Sequence, residues 1–162
     1  NRCCYENVKV GESLSLEGVR GRMIDLTVEL QNADGIMDGS RNSGNPNQEA
    51  LDVYNEFRIE LARNEEYTTV FTYDRKRQIL EIDRTWSGMQ RDVICTRKLQ
   101  ITDDRQNLKL RFILDRSSIE LFINDGSKTA TTVIPTPVEA DEILFHSDGN
   151  AVIRVEKYDI VL

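Results

Sequence analysis

Apolar and polar residues alternate with a period of two along most of this chain, and short runs of turn formers cut the alternation at intervals. A period of two sends successive side chains to opposite faces of an extended strand, so it specifies half-buried β-strands. The pattern is clearest in LKLRFILDRSSIELFINDGSKTATTVIP, residues 108–135. It resolves into strands near 108–115, 118–125 and 129–134, separated by Arg-Ser-Ser at 116–118 and Asn-Asp-Gly-Ser at 124–127. Asn, Asp and Gly tolerate the positive φ of a tight hairpin. Period two also sets the faces here: Leu110, Phe112 and Leu114 should point inward, together with Ile119, Leu121 and Ile123.

The same test places strands near 23–31, 57–63, 67–74, 77–84, 93–101, 142–147 and 151–162, with shorter candidates at 3–10 and 12–17. The stretch from Glu49 to Glu66 can be written as a helix, but Phe57, Ile59 and Leu61 alternate as in a strand. Many short strands with regular turns predict an all-β fold, namely a two-sheet antiparallel β-sandwich of the concanavalin or lectin-like jelly-roll type. A chain of 162 residues suffices for one such core, so residues 1–162 are expected to form a single sandwich module. Segment 32–52, rich in Gly, Asn and Ser, breaks the pattern and is expected to be a surface loop.

Composition narrows the function classes. The net charge is −7 and bases are interleaved with acids, which argues against a nucleic-acid partner. No apolar run approaches the ~20 residues of a membrane helix. Cys3, Cys4 and Cys95 form neither a disulfide framework nor a C-x-x-C pair, which favours a reducing, cytoplasmic setting over a secreted one. Cys95 lies in a strand pattern and reads as a small buried hydrophobe. There is no phosphate-binding glycine loop, and Asp34, Asp38, Asp103 and Asp104 match no EF-hand spacing, so neither cofactor nor metal is expected.

Candidate chemistry is sparse. Asp115 and Glu120 flank the 116–118 turn and are the one pair suited to glycoside cleavage, which needs two carboxyl groups about 5–9.5 Å apart. Arg111 and Arg116 offer the alternative of cross-strand ion pairs. His146 is the single histidine; with no G-x-S-x-G elbow present, it reads as a hydrogen-bonded structural residue beside a core phenylalanine. Trp86 follows a strand in DRTWSGM and could stack on a sugar, with Tyr54, Tyr67 and Tyr73 completing a platform; the alternative is a partly buried edge aromatic. ILEIDRTWSG (79–88) and FILDRSSIE (112–120) echo one another, so Asp83-Arg84 and Asp115-Arg116 should end their strands alike.

Motifs carry the reading further. LRFILDRSSIELFINDG, residues 110–126, resembles a signature of the C-terminal β-sandwich of glycoside hydrolase family 32, which includes invertases, inulinases, levanases and sucrose-6-phosphate hydrolases. YTTVFTYDRKRQILEIDRTWSG and ADEILFHSDGNAVIRVEKYDIVL resemble the flanking strands of that module. In this family catalysis belongs to an N-terminal five-bladed propeller, with acids in Asn-Asp-Pro, Arg-Asp-Pro and Glu-Cys motifs. Here Asn124-Asp125 is followed by Gly126, Arg91-Asp92 by Val93, and no Glu-Cys pair occurs. The resemblance implies a non-catalytic module, with Asp83, Arg84, Asp115, Arg116, Glu120, Asn124, Asp125 and Gly126 as structural motif residues. It also implies packing on the propeller of the same chain, support of homo-oligomers and contact with longer fructans. A module that docks on another domain should expose apolar surface.

Overall fold

The computed structural model describes residues 1–32, 53–90, 93–102 and 107–162. Among the described residues eleven strands run in the order β1 (Arg2–Val10), β2 (Ile24–Leu30), β3 (Glu56–Arg63), β4 (Thr69–Asp74), β5 (Ile79–Asp83), β6 (Thr96–Gln100), β7 (Leu108–Leu114), β8 (Ser118–Ile123), β9 (Lys128–Val133), β10 (Glu142–Ser147) and β11 (Ala151–Asp159). They form a six-stranded sheet, β1-β11-β2-β7-β8-β9, and a five-stranded sheet, β10-β3-β4-β5-β6. Every ladder is antiparallel. The fold is the two-sheet β-sandwich that the alternation predicts.

Period-two patterning explains the core. In β2, Ile24, Leu26, Val28 and Leu30 are buried while Asp25, Thr27 and Glu29 face out. The pairs Leu110↔Ile123, Phe112↔Leu121 and Leu114↔Ile119 put all six expected residues inside. Phe57, Ile59, Phe71, Leu80 and Ile82 answer from the facing sheet. Phe71 and Phe112 meet edge to face across the sandwich, centroids 4.9 Å apart. Burying each such side chain stabilises the fold by about 1.5–3 kcal/mol.

The outermost pairing joins the two ends of the sequence. β1 runs against β11 from Arg2↔Tyr158 to Val10↔Ala151, with an irregularity between Tyr5 and Val8. The Asn1 carbonyl accepts the Asp159 N–H at 3.0 Å.

Arg22 is a buried cation. Its Nη1 donates to the carbonyls of Pro137 (2.6 Å) and Ala140 (3.3 Å), and its Nη2 to those of Arg116 (2.8 Å) and Thr136 (3.1 Å). One guanidinium therefore ties the start of β2 to the β7–β8 turn and to the connection from β9 to β10.

Two strand expectations are corrected. Residues 12–17 form no strand: Leu14 makes an isolated bridge to Phe145 while the chain crosses from one sheet to the other. Leu14 and Leu16 still pack against the core, so their alternation reports burial without a ladder. Cys95 lies just before β6 and is only half-buried; its thiol donates to the Val93 carbonyl at 3.2 Å. Except for Asn32, segment 32–52 lies outside the described residues, as do Arg91, Asp92, Asp103 and Asp104.

Candidate functional site

The hairpin between β7 and β8 was the one candidate for paired-acid chemistry. Asp115 Oδ1 accepts the backbone N–H groups of Ser117 (2.8 Å) and Ser118 (2.6 Å), and the Asp115 N–H closes the turn on the Ser118 carbonyl at 3.0 Å. Those amides, Ser117 first, hold its carboxyl below the usual carboxylate range, and the charge of Arg22 adds to the effect. An ionised, doubly bonded acceptor has no proton to give a leaving group. Glu120 pairs in register with Ile113 and Thr131 on the outer face, so the two acids do not face each other. The expected ion pairs with Arg111 and Arg116 are also corrected: Arg111 binds Asp25 bidentately, at 2.9 and 2.6 Å, because β2 and not β8 brings a carboxylate within its reach.

The second Asp-Arg turn repeats the device. Asp83 Oδ1 accepts the Thr85 N–H at 2.9 Å and the Thr85 hydroxyl at 2.5 Å. Arg84 donates from Nη1 to the Val133 carbonyl at 2.8 Å, tying the end of β5 to β9, the edge strand of the other sheet. In the β8–β9 turn, Asn124, Asp125 and Gly126 have φ of 48°, 60° and 94°. The buried Asn124 side chain accepts the Lys109 N–H at 2.9 Å, and Lys109 Nζ reaches Asp125 at 2.8 Å.

The aromatic platform is dispersed. Trp86 is 68% exposed and Tyr67 half-buried, whereas Tyr54 and Tyr73 are 3% and 8% exposed. Burial pushes both of the latter phenols up in pKa, and neither offers a ring face to a ligand. Tyr73 shares its strand face with Phe71, so alternation already carried that information. Around Trp86, Val93, Ile94 and Val133 are also exposed. Arg84 links their segments, with its N–H on the Cys95 carbonyl and its guanidinium on Val133. His146 is structural in its contacts: Nδ1 lies 2.6 Å from the Glu12 carbonyl and Nε2 lies 2.5 Å from Glu60. Among the described residues no group of three His, Cys, Asp or Glu side chains could hold a metal ion.

The family model described as "Glycosyl hydrolases family 32 C terminal" matches residues 2–161. The chain belongs to this family. The Staphylococcus xylosus sucrose-6-phosphate hydrolase is 32% identical over 115 residues, 69% of this chain and 22% of that protein. A Vibrio cholerae protein described as "Probable sucrose-6-phosphate hydrolase" is 36% identical over 89 residues, 54% of this chain and 16% of that one. The match thus covers less than a quarter of the length of these relatives. In fold, the chain resembles the exo-inulinase of Aspergillus awamori (TM-score 0.70, 20% identity, 99% of this chain and 29% of that one). It likewise resembles the sucrose-6-phosphate hydrolase of Lactobacillus gasseri (TM-score 0.68, 21% identity, 100% and 29%).

In this family 32 module one surface feature is not legible in the sequence. The outer face of the six-stranded sheet is a grid whose rows run across strands. One row reads Arg2, Tyr158, Asp25, Ile113, Glu120 and Thr131. The next reads Cys4, Glu156, Thr27, Arg111, Phe122 and Thr129. Arg2 reaches Glu156 at 2.7 Å, the Tyr158 hydroxyl donates to Glu156 at 2.6 Å, and Arg154 reaches Glu6 at 2.6 Å. The Tyr158 hydroxyl, then Arg2, hold the Glu156 carboxyl below its ordinary range. Alternation marks each of these residues as outward, but which of them become neighbours depends on pairings between distant strands.

Proposed function

We propose that residues 1–162 are one non-catalytic C-terminal module of a β-fructosidase, which stabilises an N-terminal five-bladed propeller carrying the catalytic acids. The observation that carries this reading is the family match across residues 2–161. The exposed apolar group of Trp86, Val93, Ile94 and Val133 supports it, because a surface fitted for burial against another domain is apolar. The substrate of the whole protein is a β-fructoside; sucrose 6-phosphate leads, from the names of the relatives above 30% identity. Three free thiols support a cytoplasmic setting.

The purified chain should release no fructose from sucrose, sucrose 6-phosphate, inulin or levan. Release that disappears in an Asp115→Asn, Glu120→Gln double variant would overturn the non-catalytic reading. The whole protein should cleave at least one of these sugars, and Ile94→Asp in it should lower its melting temperature by loosening the domain contact. An unchanged melting temperature would remove the Trp86 surface from that contact.

A further inference from the structure

The outer face of the six-stranded sheet holds a trough of about 440 Å³, within the range of small-ligand sites. Its floor follows from side-chain size. Thr27 sits on β2, in the middle of the sheet, between Glu156 of β11 and Arg111 of β7. Short Thr27 is ringed by longer side chains, so the face sinks there. Phe122 and Tyr158 stand at opposite sides of the trough, three strand steps apart, or about 14 Å. Tyr158 is 42% exposed.

The charges lining the trough oppose one another. Four carboxylates and three cations contribute, and most are held in short pairs: Arg111 on Asp25, Lys109 on Asp125, and Glu156 under Arg2 and Tyr158. With four carboxylates against three cations, the lining has no excess positive charge to draw an anion, and its carboxylates are mostly already neutralised by the cations beside them. An uncharged polyol needs no charge excess: carboxylates keep spare lone pairs and guanidinium groups keep spare N–H groups. The Thr27 hydroxyl and the Glu29 carboxylate have no hydrogen-bonding partner among the described residues, so the centre of the trough offers a donor and acceptors not yet used. Rings at either side supply flat apolar surface of the kind on which a sugar face packs.

We propose that this trough is a binding site for an uncharged oligosaccharide, specifically a fructan segment, that engages Thr27, Glu29, Arg111, Phe122, Glu156 and Tyr158. The choice of fructan rests on the family 32 reading above; the place of the site does not. It is distinct from the Trp86 surface, which lies where β5 and β9 approach each other.

The test is a titration of the isotopically labelled chain with a short inulin oligosaccharide and, separately, with sucrose 6-phosphate, followed through backbone amide shifts. Saturable shifts at Thr27, Arg111 and Tyr158, with Kd near 1 mM for the oligosaccharide, are expected. Thr27→Arg, which fills the floor, and Tyr158→Ala, which empties one side, should each weaken binding about tenfold with melting temperature retained. Trp86→Ala should leave binding unchanged. No saturable shift, shifts centred on Trp86, or a response to sucrose 6-phosphate alone would each overturn the proposal. So would a Thr27→Arg variant that binds sugar normally yet destabilises the whole protein, which would assign the trough to domain packing. Failure of binding leaves the module reading standing, because fructose release and the Ile94→Asp variant test that separately.

Discussion

Two exposed regions of this sandwich are finished in opposite ways. On the outer face of the six-stranded sheet, long polar side chains are tied to one another: Arg111 to Asp25, Arg2 to Glu156, Arg154 to Glu6. Where β5 and β9 meet, the backbone is knitted just as closely, through Arg84 to Cys95 and Val133 and through the Thr136 hydroxyl to the Ser87 carbonyl. Yet the side chains it presents are apolar, with Ile94 85% exposed. Backbone order is thus no guide to what a surface is for. A face whose polar groups satisfy one another is stable in water, whereas an ordered apolar surface gains free energy only when something covers it.

The sharpest way to break the apolar region is from beneath. Arg22 holds the carbonyls of Arg116, Thr136, Pro137 and Ala140, and Thr136 in turn anchors Ser87. Arg22→Ala should cost about 3 kcal/mol or more, since several carbonyls lose their donor. A single exposed pair of the grid, lost in Arg111→Ala, should cost at most about 1 kcal/mol. Urea unfolding of the two variants measures the contrast, and equal losses would mean that the buried cation is dispensable.

Next in size is Gly126→Val, at the turn beside the trough. A Cβ there meets nothing within 4 Å, but φ is 94°. Backbone strain alone should cost about 1–3 kcal/mol. An unshifted denaturation midpoint would contradict this turn geometry.

Asp115→Ala should cost about 1 kcal/mol, because two turn amides lose their acceptor. The sign with pH is fixed by the lowered carboxyl pKa. Asp115 contributes fully above the unfolded carboxylate pKa of about 3.9, and its contribution disappears as pH falls through the lower folded value. The gap between wild type and variant should therefore close in acid; a gap that persists at the lowest pH would mean that charge plays no part in the turn.

The smallest stability effect belongs to Trp86→Ser with Ile94→Ser, within about 0.5 kcal/mol, as for exposed substitutions generally. Light scattering should nevertheless show less self-association in this variant than in the parent chain. An equal tendency to associate would mean that the apolar region is not what brings copies together.

Strands and their buried faces were legible because period two is a local property: six inward residues of β7 and β8 follow from reading along the chain. Segment 12–17 misled for the same reason, since alternating leucines state only that one side is covered. The Asp-Arg echo pointed correctly to two turns built alike. Tyr73 was misplaced because aromatic character was weighed over strand parity, whereas Tyr54 lies before β3, where no strand parity signals burial. The trough was out of reach: Thr27 becomes a floor only once β11 and β7 flank it, and Glu156 and Arg111 lie far from it in sequence.

The pairing of β1 with β11 turns the chain into a nearly closed ring. The Asn1 carbonyl accepts the Asp159 N–H, so the first and last of the described strands lie side by side at one edge of the six-stranded sheet. A circular permutant that links Leu162 to Asn1 through a short glycine linker, and opens at the exposed Lys76–Arg77 turn, keeps every ladder intact. It would move the entry point of the polypeptide from the six-stranded sheet to the five-stranded one. An attached domain could then be presented from the opposite side of the same sandwich.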